Sequence, residues 1–255
     1  MGILDFPAPV FSFLDQLIAF LPSIVRLGLW GALGGVLSML FYSLISPQDR
    51  LSEVKVALRE AQGQLASSDD SFDELMQLVK KTLSLSLKHL SLVLFPALVS
   101  SLPLVCILAW SSTHFGYQFP EPGEQLSVNV QPESAATQVG WRLDGVALPE
   151  LSASQIEWPG PNQILQLHDR GADVLLTLPA AAAIPQIHKK LWWNNLLGNP
   201  AGYLPDNSPV DLVAISLPPQ RHLAVGPVWL GDWMVLFIIA ALVAALLVKW
   251  QFKIH

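Results

Sequence analysis

The chain has 255 residues; 52% are hydrophobic, only 13% are charged, and the mean hydropathy is +0.45. A soluble globular domain carries about 25% charged residues, so this composition excludes an ordinary soluble protein and points to a membrane. The net charge of −6 argues against direct nucleic-acid binding, which needs a basic surface, and the lone cysteine, Cys106, excludes a disulfide within the chain.

Residues 1–25 hold no Lys or Arg, so the charged start of a signal peptide is absent. "FPAPVFSFLDQLIAFLP" reads as a short external interfacial helix; the alternative is that it begins the first span. "LGLWGALGGVLSMLFYSLI", 27–45, is long enough to cross a bilayer, which takes about 20 apolar residues, and places the first transmembrane helix at 26–45. Within it Gly31 and Gly35 stand at GxxxG spacing, with Gly28 and Gly34 nearby, a pattern that lets helices approach closely. The sequence leaves the partner helix open.

The apolar run stops at "SPQD", 46–49. Ser46 is a capping residue, Pro47 suits the first helical position, and Asp49 sits where a capping box wants an acid. Leu51, Val54, Leu58, Ala61 and Leu65 then repeat at heptad spacing. "ASSDD" interrupts, Ser71 and Glu74 offer a second capping box, and Phe72, Met76, Val79, Leu83, Ser86 and Leu90 form a second seam. Two seams joined by a polar turn predict an antiparallel coiled-coil hairpin over 46–88. The alternative is a pair of amphipathic helices lying on the membrane or on a partner.

"LSLVLFPALVSSLPLVCILAW" places a second transmembrane helix at 89–111, with Pro96 and Pro103 breaking its backbone ladder. In 112–228, "QLSVNVQP", "QVGWRLDGV", "NQILQLHD", "DVLLTLP" and "VDLVAISL" are short β-rich runs separated by Pro, Gly, Asn and Asp. They predict a small β-sandwich or barrel. "PQIHKKLWWNNLLGN", 185–199, departs from that pattern and reads as a short helix or an exposed aromatic loop. Its Lys189, Lys190, Trp192 and Trp193 are candidates for an external partner surface; the alternative is that the tryptophans fill the sandwich core or dock on the spans. "WMVLFIIAALVAALLV" gives a third transmembrane helix at 229–250, followed by a tail at 251–255. Trp30, Trp110, Trp229, Trp233 and Trp250 lie near the ends of the runs, as interfacial anchors do, which favours spans over buried core helices.

Arg50, Lys55, Arg59, Lys80, Lys81 and Lys88 fall between the first two spans, and Lys249 and Lys253 near the C-terminus. The positive-inside rule therefore places 46–88 and the C-terminus in the cytoplasm, with the N-terminus and 112–228 outside. The expected fold class is an integral membrane α-helical protein: three transmembrane helices, a cytoplasmic antiparallel coiled-coil hairpin and an inserted extracytoplasmic β-sandwich-like domain.

Residues "GGVLSMLFYSLISPQDRLSEVKVALREAQ" and "LVKKTLSLSLKHLSLVLFPALVSSLPLVCILAW" carry a resemblance to the YidC/Oxa-type membrane protein insertase superfamily, over about 26–112 and 228–252. The chain looks most like the reduced three-span members, the archaeal YidC-like proteins and the insertase-like subunit of the endoplasmic-reticulum membrane protein complex. The resemblance implies a polar groove between the spans that lowers the cost of passing charged segments through lipid, a cost of at least about 2.5–3.5 kcal/mol per charge. Arg26 is then the candidate groove cation, with snorkelling to headgroups as its alternative. Ser38, Ser43, Ser100 and Ser101 are candidate groove polar groups, with intrahelical back-bonding as theirs. Arg50, Lys55, Arg59, Lys80 and Lys81 of the hairpin become contact candidates for substrate or ribosome. The reduced members have a short external connection before the last span, and the long 112–228 segment departs from them.

No HxxxH, nucleophile elbow, P-loop or GxGxxG occurs, and His168, Asp169 and Asp173 of "LHDRGAD" would be split between faces by strand alternation. The sequence thus predicts no catalytic residues, no metal and no cofactor. Its expected partners are the lipid bilayer and other membrane proteins, as clients or complex subunits, in a bacterial inner membrane. The function expected is insertion or assembly of membrane proteins; the alternative is a non-catalytic scaffold subunit of an envelope complex whose β-domain binds a partner.

Overall fold

The computed structural model describes residues 2–67, 72–148, 155–171, 173–223 and 226–252. The chain divides into two compact units, one of residues 1–27 and 106–236, the other of 28–105 and 237–255.

Three helices are long and apolar enough to cross a membrane: α2 (Ser23–Ile45), α4 (Phe72–Phe115) and α6 (Trp233–Phe252). A separate ten-residue helix, α1 (Ala8–Leu17), precedes α2, so "FPAPVFSFLDQL" does not begin the first long helix. Helix α4 runs unbroken for 44 residues through Pro96 and Pro103. At 1.5 Å per residue it is about 66 Å long, roughly twice the ~30 Å of a bilayer's hydrocarbon core. The two prolines lack the N–H groups that would pair the carbonyls of Leu92 and Val99.

In the helical unit, the expected glycine seam finds its partner in α6. A Cβ on Gly31 would lie 2.5 Å from the Phe237 carbonyl oxygen, and one on Gly35 would overlap the Ala241 carbonyl. Gly34 is buried with them, whereas Gly28 has open space where a Cβ would stand. The buried positions of α6 are Phe237, Ala241, Ala244 and Val248, a stripe at spacings of four and three. Its remaining large apolar side chains face outward, among them Leu242, Leu246 and Leu247.

Helix α3 spans Gln48–Ser67 and buries the predicted seam: Leu51, Val54 and Ala61 fully, Leu58 and Leu65 partly. Its start differs from the expectation in one respect. The Ser46 hydroxyl is buried without a hydrogen-bond partner among the described residues, so it does not cap the helix; the Pro47 carbonyl accepts from Leu51 N–H instead. The expected seam of the following helix is not the inward one. Phe72, Met76, Val79, Leu83 and Leu90 are exposed, and the less exposed positions are Leu78, Thr82, Leu85, Ser86 and His89. Leucines occur on every side of this stretch, so their period selects no face. The hydroxyls of Thr82 and Ser86 donate to the Leu78 and Thr82 carbonyls, which lets small polar residues occupy the covered stripe. The polar turn expected at 66–70 falls largely, and Ser71 of the expected second capping box wholly, outside the described residues.

The other unit contains two antiparallel four-stranded sheets. One has the order β4-β1-β8-β7, from β1 (Gln125–Gln131), β4 (Gln155–Glu157), β7 (Gln186–His188) and β8 (Leu212–Ile215). The other is β3-β2-β5-β6, from β2 (Val139–Leu143), β3 (Val146–Ala147), β5 (Leu165–Asp169) and β6 (Val174–Leu178). All five β-rich runs contain strands. Strand β1 alternates strictly, with Leu126, Val128 and Val130 buried. They share one core with Ile156, Val213 and Ile215 of the same sheet and with Trp141, Leu165, Leu167 and Leu178 of the other. Asp144 and Gly145 both take positive φ, 49° and 82°, and close the β2–β3 hairpin as a two-residue turn of the primed type. The β5–β6 register shifts between Leu167 and His168, and alternation fails on both strands there: Leu167 and His168 are both buried, as are Leu175 and Leu176.

Candidate functional site

Most hydrogen-bonded polar side chains at the ends of the long helices gather in one place. Helix α1 is inverted relative to a water-soluble amphipathic helix: Val10, Phe13 and Leu17 face outward, while Ser12 is half-buried and Asp15 is buried. Asp15 receives Arg26 of α2 in a two-pronged ion pair, Nε to Oδ1 at 3.1 Å and the second nitrogen to Oδ2. The Arg26 guanidinium also lies 5.3 Å from the ring centre of Phe115 at the end of α4. A buried carboxylate is stable only when paired, and Arg26 supplies both the charge and the fork geometry.

His222 fixes the same helix ends. Its Nε2 lies 2.9 Å from the Phe115 carbonyl oxygen and its Nδ1 3.0 Å from Ser23 Oγ. A carbonyl only accepts, so Nε2 donates to it, while the Ser23 hydroxyl can serve Nδ1 as donor or acceptor. His222 N–H donates to the Gly231 carbonyl just before α6. One buried histidine thus joins the start of α2, the end of α4 and the approach to α6. A second relay ties α1 to α4: Trp110 Nε1–H donates to Ser12 Oγ at 3.0 Å, and Ser12 lies 3.4 Å from His114 Nε2. His114 Nδ1 donates to the Trp110 carbonyl, and the two rings stack at 4.4 Å. Both histidines therefore sit beside a serine, but each directs its other nitrogen at a main-chain carbonyl. Each ring cross-links segments: His114 reaches Ser12 of α1 from α4, and His222 reaches both α2 and α4.

The remaining candidates are placed as follows. Ser43, Ser100 and Ser101 donate to the carbonyls of Leu40, Ala97 and Leu98 in their own helices. Ser38 is half-buried in α2. Arg50, Lys55, Arg59, Lys80 and Lys81 are all exposed. His168 is buried with Nε2 3.3 Å from Gln166 Oε1, and Asp169 accepts from Asp173 N–H to form the β5–β6 turn. Among the described residues, no group of three or more His, Cys, Asp or Glu side chains is arranged to hold a metal.

The 185–199 stretch is neither a helix nor a loop throughout: it gives β7 and then a 3₁₀ turn at Trp192–Asn195. Its tryptophans do not enter the sandwich core. Trp192 is 79% exposed, and Trp193 packs its ring 5.1 Å from His188. Buried Asn194 shapes the turn, accepting from Leu191 N–H at 2.7 Å and donating to the Leu197 carbonyl. Lys189 pairs with Asp211 at 2.8 Å, and Lys190 is exposed. The outer face of the β4-β1-β8-β7 sheet carries an open groove lined by Ser127, Asn129, Gln155, Gln186 and Ser216, with Glu133 at its edge. Apolar side chains, among them Val128, Val130 and Ile215, share the lining, and Glu133 is the one charged residue in it.

Sequence reading did not find Asp15, Ser12, Ser23, His114 or His222. One signal was available: Asp15 is the sole charge in 6–25, eleven positions before Arg26. No protein-family model matches the chain, and no curated protein or solved structure shows a significant similarity to it.

Proposed function

We propose that the chain is a non-catalytic scaffold subunit of a membrane complex, built on an insertase-like three-span arrangement, whose β-domain binds a partner outside a bacterial inner membrane. One observation carries the choice over insertion. Arg26, the cation an insertion groove would use, is already neutralised by buried Asp15 and held over Phe115. The hydroxyls of Ser43, Ser100 and Ser101 are likewise satisfied within their helices. The open groove on the sheet, lined by polar and apolar side chains with Glu133 at its edge, is the surface offered to a partner.

Insertion is the second reading, and the exposed basic side chains of α3 and α4 favour it: Arg50, Lys55, Arg59, Lys80 and Lys81 are free to meet an acidic or nucleic-acid-rich surface such as a ribosome. Affinity purification in mild detergent at native abundance, followed by mass spectrometry, separates the two. A fixed set of membrane and envelope proteins at near-equal stoichiometry is the result expected. A spread of nascent membrane proteins and ribosomes, lost when those five residues are charge-reversed, would replace the scaffold by the insertase.

A further inference from the structure

Two segments far apart in sequence form one exposed apolar surface. Ile3 and Phe6 are 71% and 87% exposed, and Trp192 stands beside Leu191 and Leu196 in the 3₁₀ turn. The segments are locked together by main-chain bonds. Leu4 N–H donates to the Leu196 carbonyl at 2.9 Å, and Asp5 Oδ2 accepts from Gly2 N–H at 2.8 Å and from Gly198 N–H at 2.7 Å. Gly2 lies so close to the Leu196 backbone that a Cβ there would overlap it. Together with Asn194, these bonds hold Trp192 outward in a defined turn rather than leaving it on a loose loop.

We propose that residues 2–6 and the 191–197 turn form a single lipid-contact surface that seats the β-domain on the headgroup layer of the bilayer, with Trp192 as its anchor. The inference rests on the reading that α2, α4 and α6 span a membrane. Continuity selects lipid as the occupant. The surface leads through residue 7 into α1, whose outward side chains Val10, Phe13 and Leu17 are apolar, and then into α2 at Ser23. A helix that presents apolar residues outward and a carboxylate inward belongs against hydrocarbon, and the neighbouring surface shares its environment. The chemistry agrees: tryptophan prefers the headgroup level, exposed Lys190 is placed to meet phosphates, and the Asp5 carboxylate is committed to two main-chain N–H groups.

The test uses the full chain with Cys106→Ser, reconstituted in vesicles of phosphatidylcholine and phosphatidylglycerol. Single cysteines are introduced as Trp192→Cys, Ile3→Cys, Val146→Cys and Leu242→Cys and labelled with an environment-sensitive fluorophore. Nitroxide lipids quench at either shallow or deep positions. Positions 192 and 3 are expected to be quenched by the shallow nitroxide at least about threefold more than 146, an exposed hairpin position, as interfacial side chains should be. Position 242 reports the span and is expected to respond to the deep nitroxide. If 242 responds while 192 and 3 match 146, the surface proposal is overturned and the spanning reading stands; that outcome would assign the surface to a protein partner. If 242 does not respond, the spanning reading falls and the proposal with it. Should Trp192→Cys fail to fold, Ile3→Cys and Leu196→Cys decide the matter on the same criterion.

Discussion

The sandwich and the long helices use apolar residues in opposite ways. In β1 the side chains alternate, and Leu126, Val128 and Val130 all point inward. In α6 the inward stripe includes Ala241 and Ala244, while Leu242, Leu246 and Leu247 face out. In α2 the closest approach is made by glycines, and in α1 the inward residue is an aspartate. The difference is what two solvents, water and lipid, would produce. In water, burial of apolar area drives packing. In lipid it cannot, so small residues and paired polar groups set the contacts.

Four single variants and one double variant sharpen that contrast, each read as a shift in unfolding free energy or melting temperature of the detergent-solubilised chain. Leu167→Ala, in the middle of the sandwich core, is expected to cost about 2–5 kcal/mol, the range for a cavity left by a buried leucine. Asp15→Asn strands the Arg26 charge and should cost about 3 kcal/mol; Asp15→Leu with Arg26→Leu should recover most of it, since an apolar pair replaces a buried ion pair at little cost. Equal losses in the single and double variants would mean that the ion pair is not what holds α1. Gly35→Leu drives a side chain into the Ala241 backbone and should cost about 1–3 kcal/mol, without moving the protease resistance of the sandwich. Leu246→Ala, the same chemical change as in the core but on an outward face, should stay within about 0.5 kcal/mol. A loss as large as that of Leu167→Ala would place Leu246 against a protein partner rather than lipid.

How much of this was legible in the sequence follows the same division. The strands were readable because water enforces a period of two, but the Asp144–Gly145 turn lay inside the single run "QVGWRLDGV" and was not separated from it. The exceptions within the sandwich are local: the bulge at His168 and the short strands β4 and β7 carry too few residues to show a period. The seam of α3 was readable because its other faces are charged, whereas that of α4 was not, because leucines surround it. The glycine spacing of α2 announced a close contact but not that α6 would make it. The polar cluster was least accessible. Ser23 and His222 lie 199 positions apart, and nothing in either neighbourhood specifies the other.

The proposed function requires that α2, α4 and α6 cross one bilayer, with the α3–α4 basic segment and the β-domain on opposite sides. Protease digestion of sealed membrane vesicles of each orientation, after an alkaline carbonate wash, tests it most directly. The account predicts that the chain stays in the washed membrane, that protease on one side cuts only within 118–226, and that protease on the other side cuts only within 48–88. Release by carbonate, or cleavage of both regions from the same side, would contradict it.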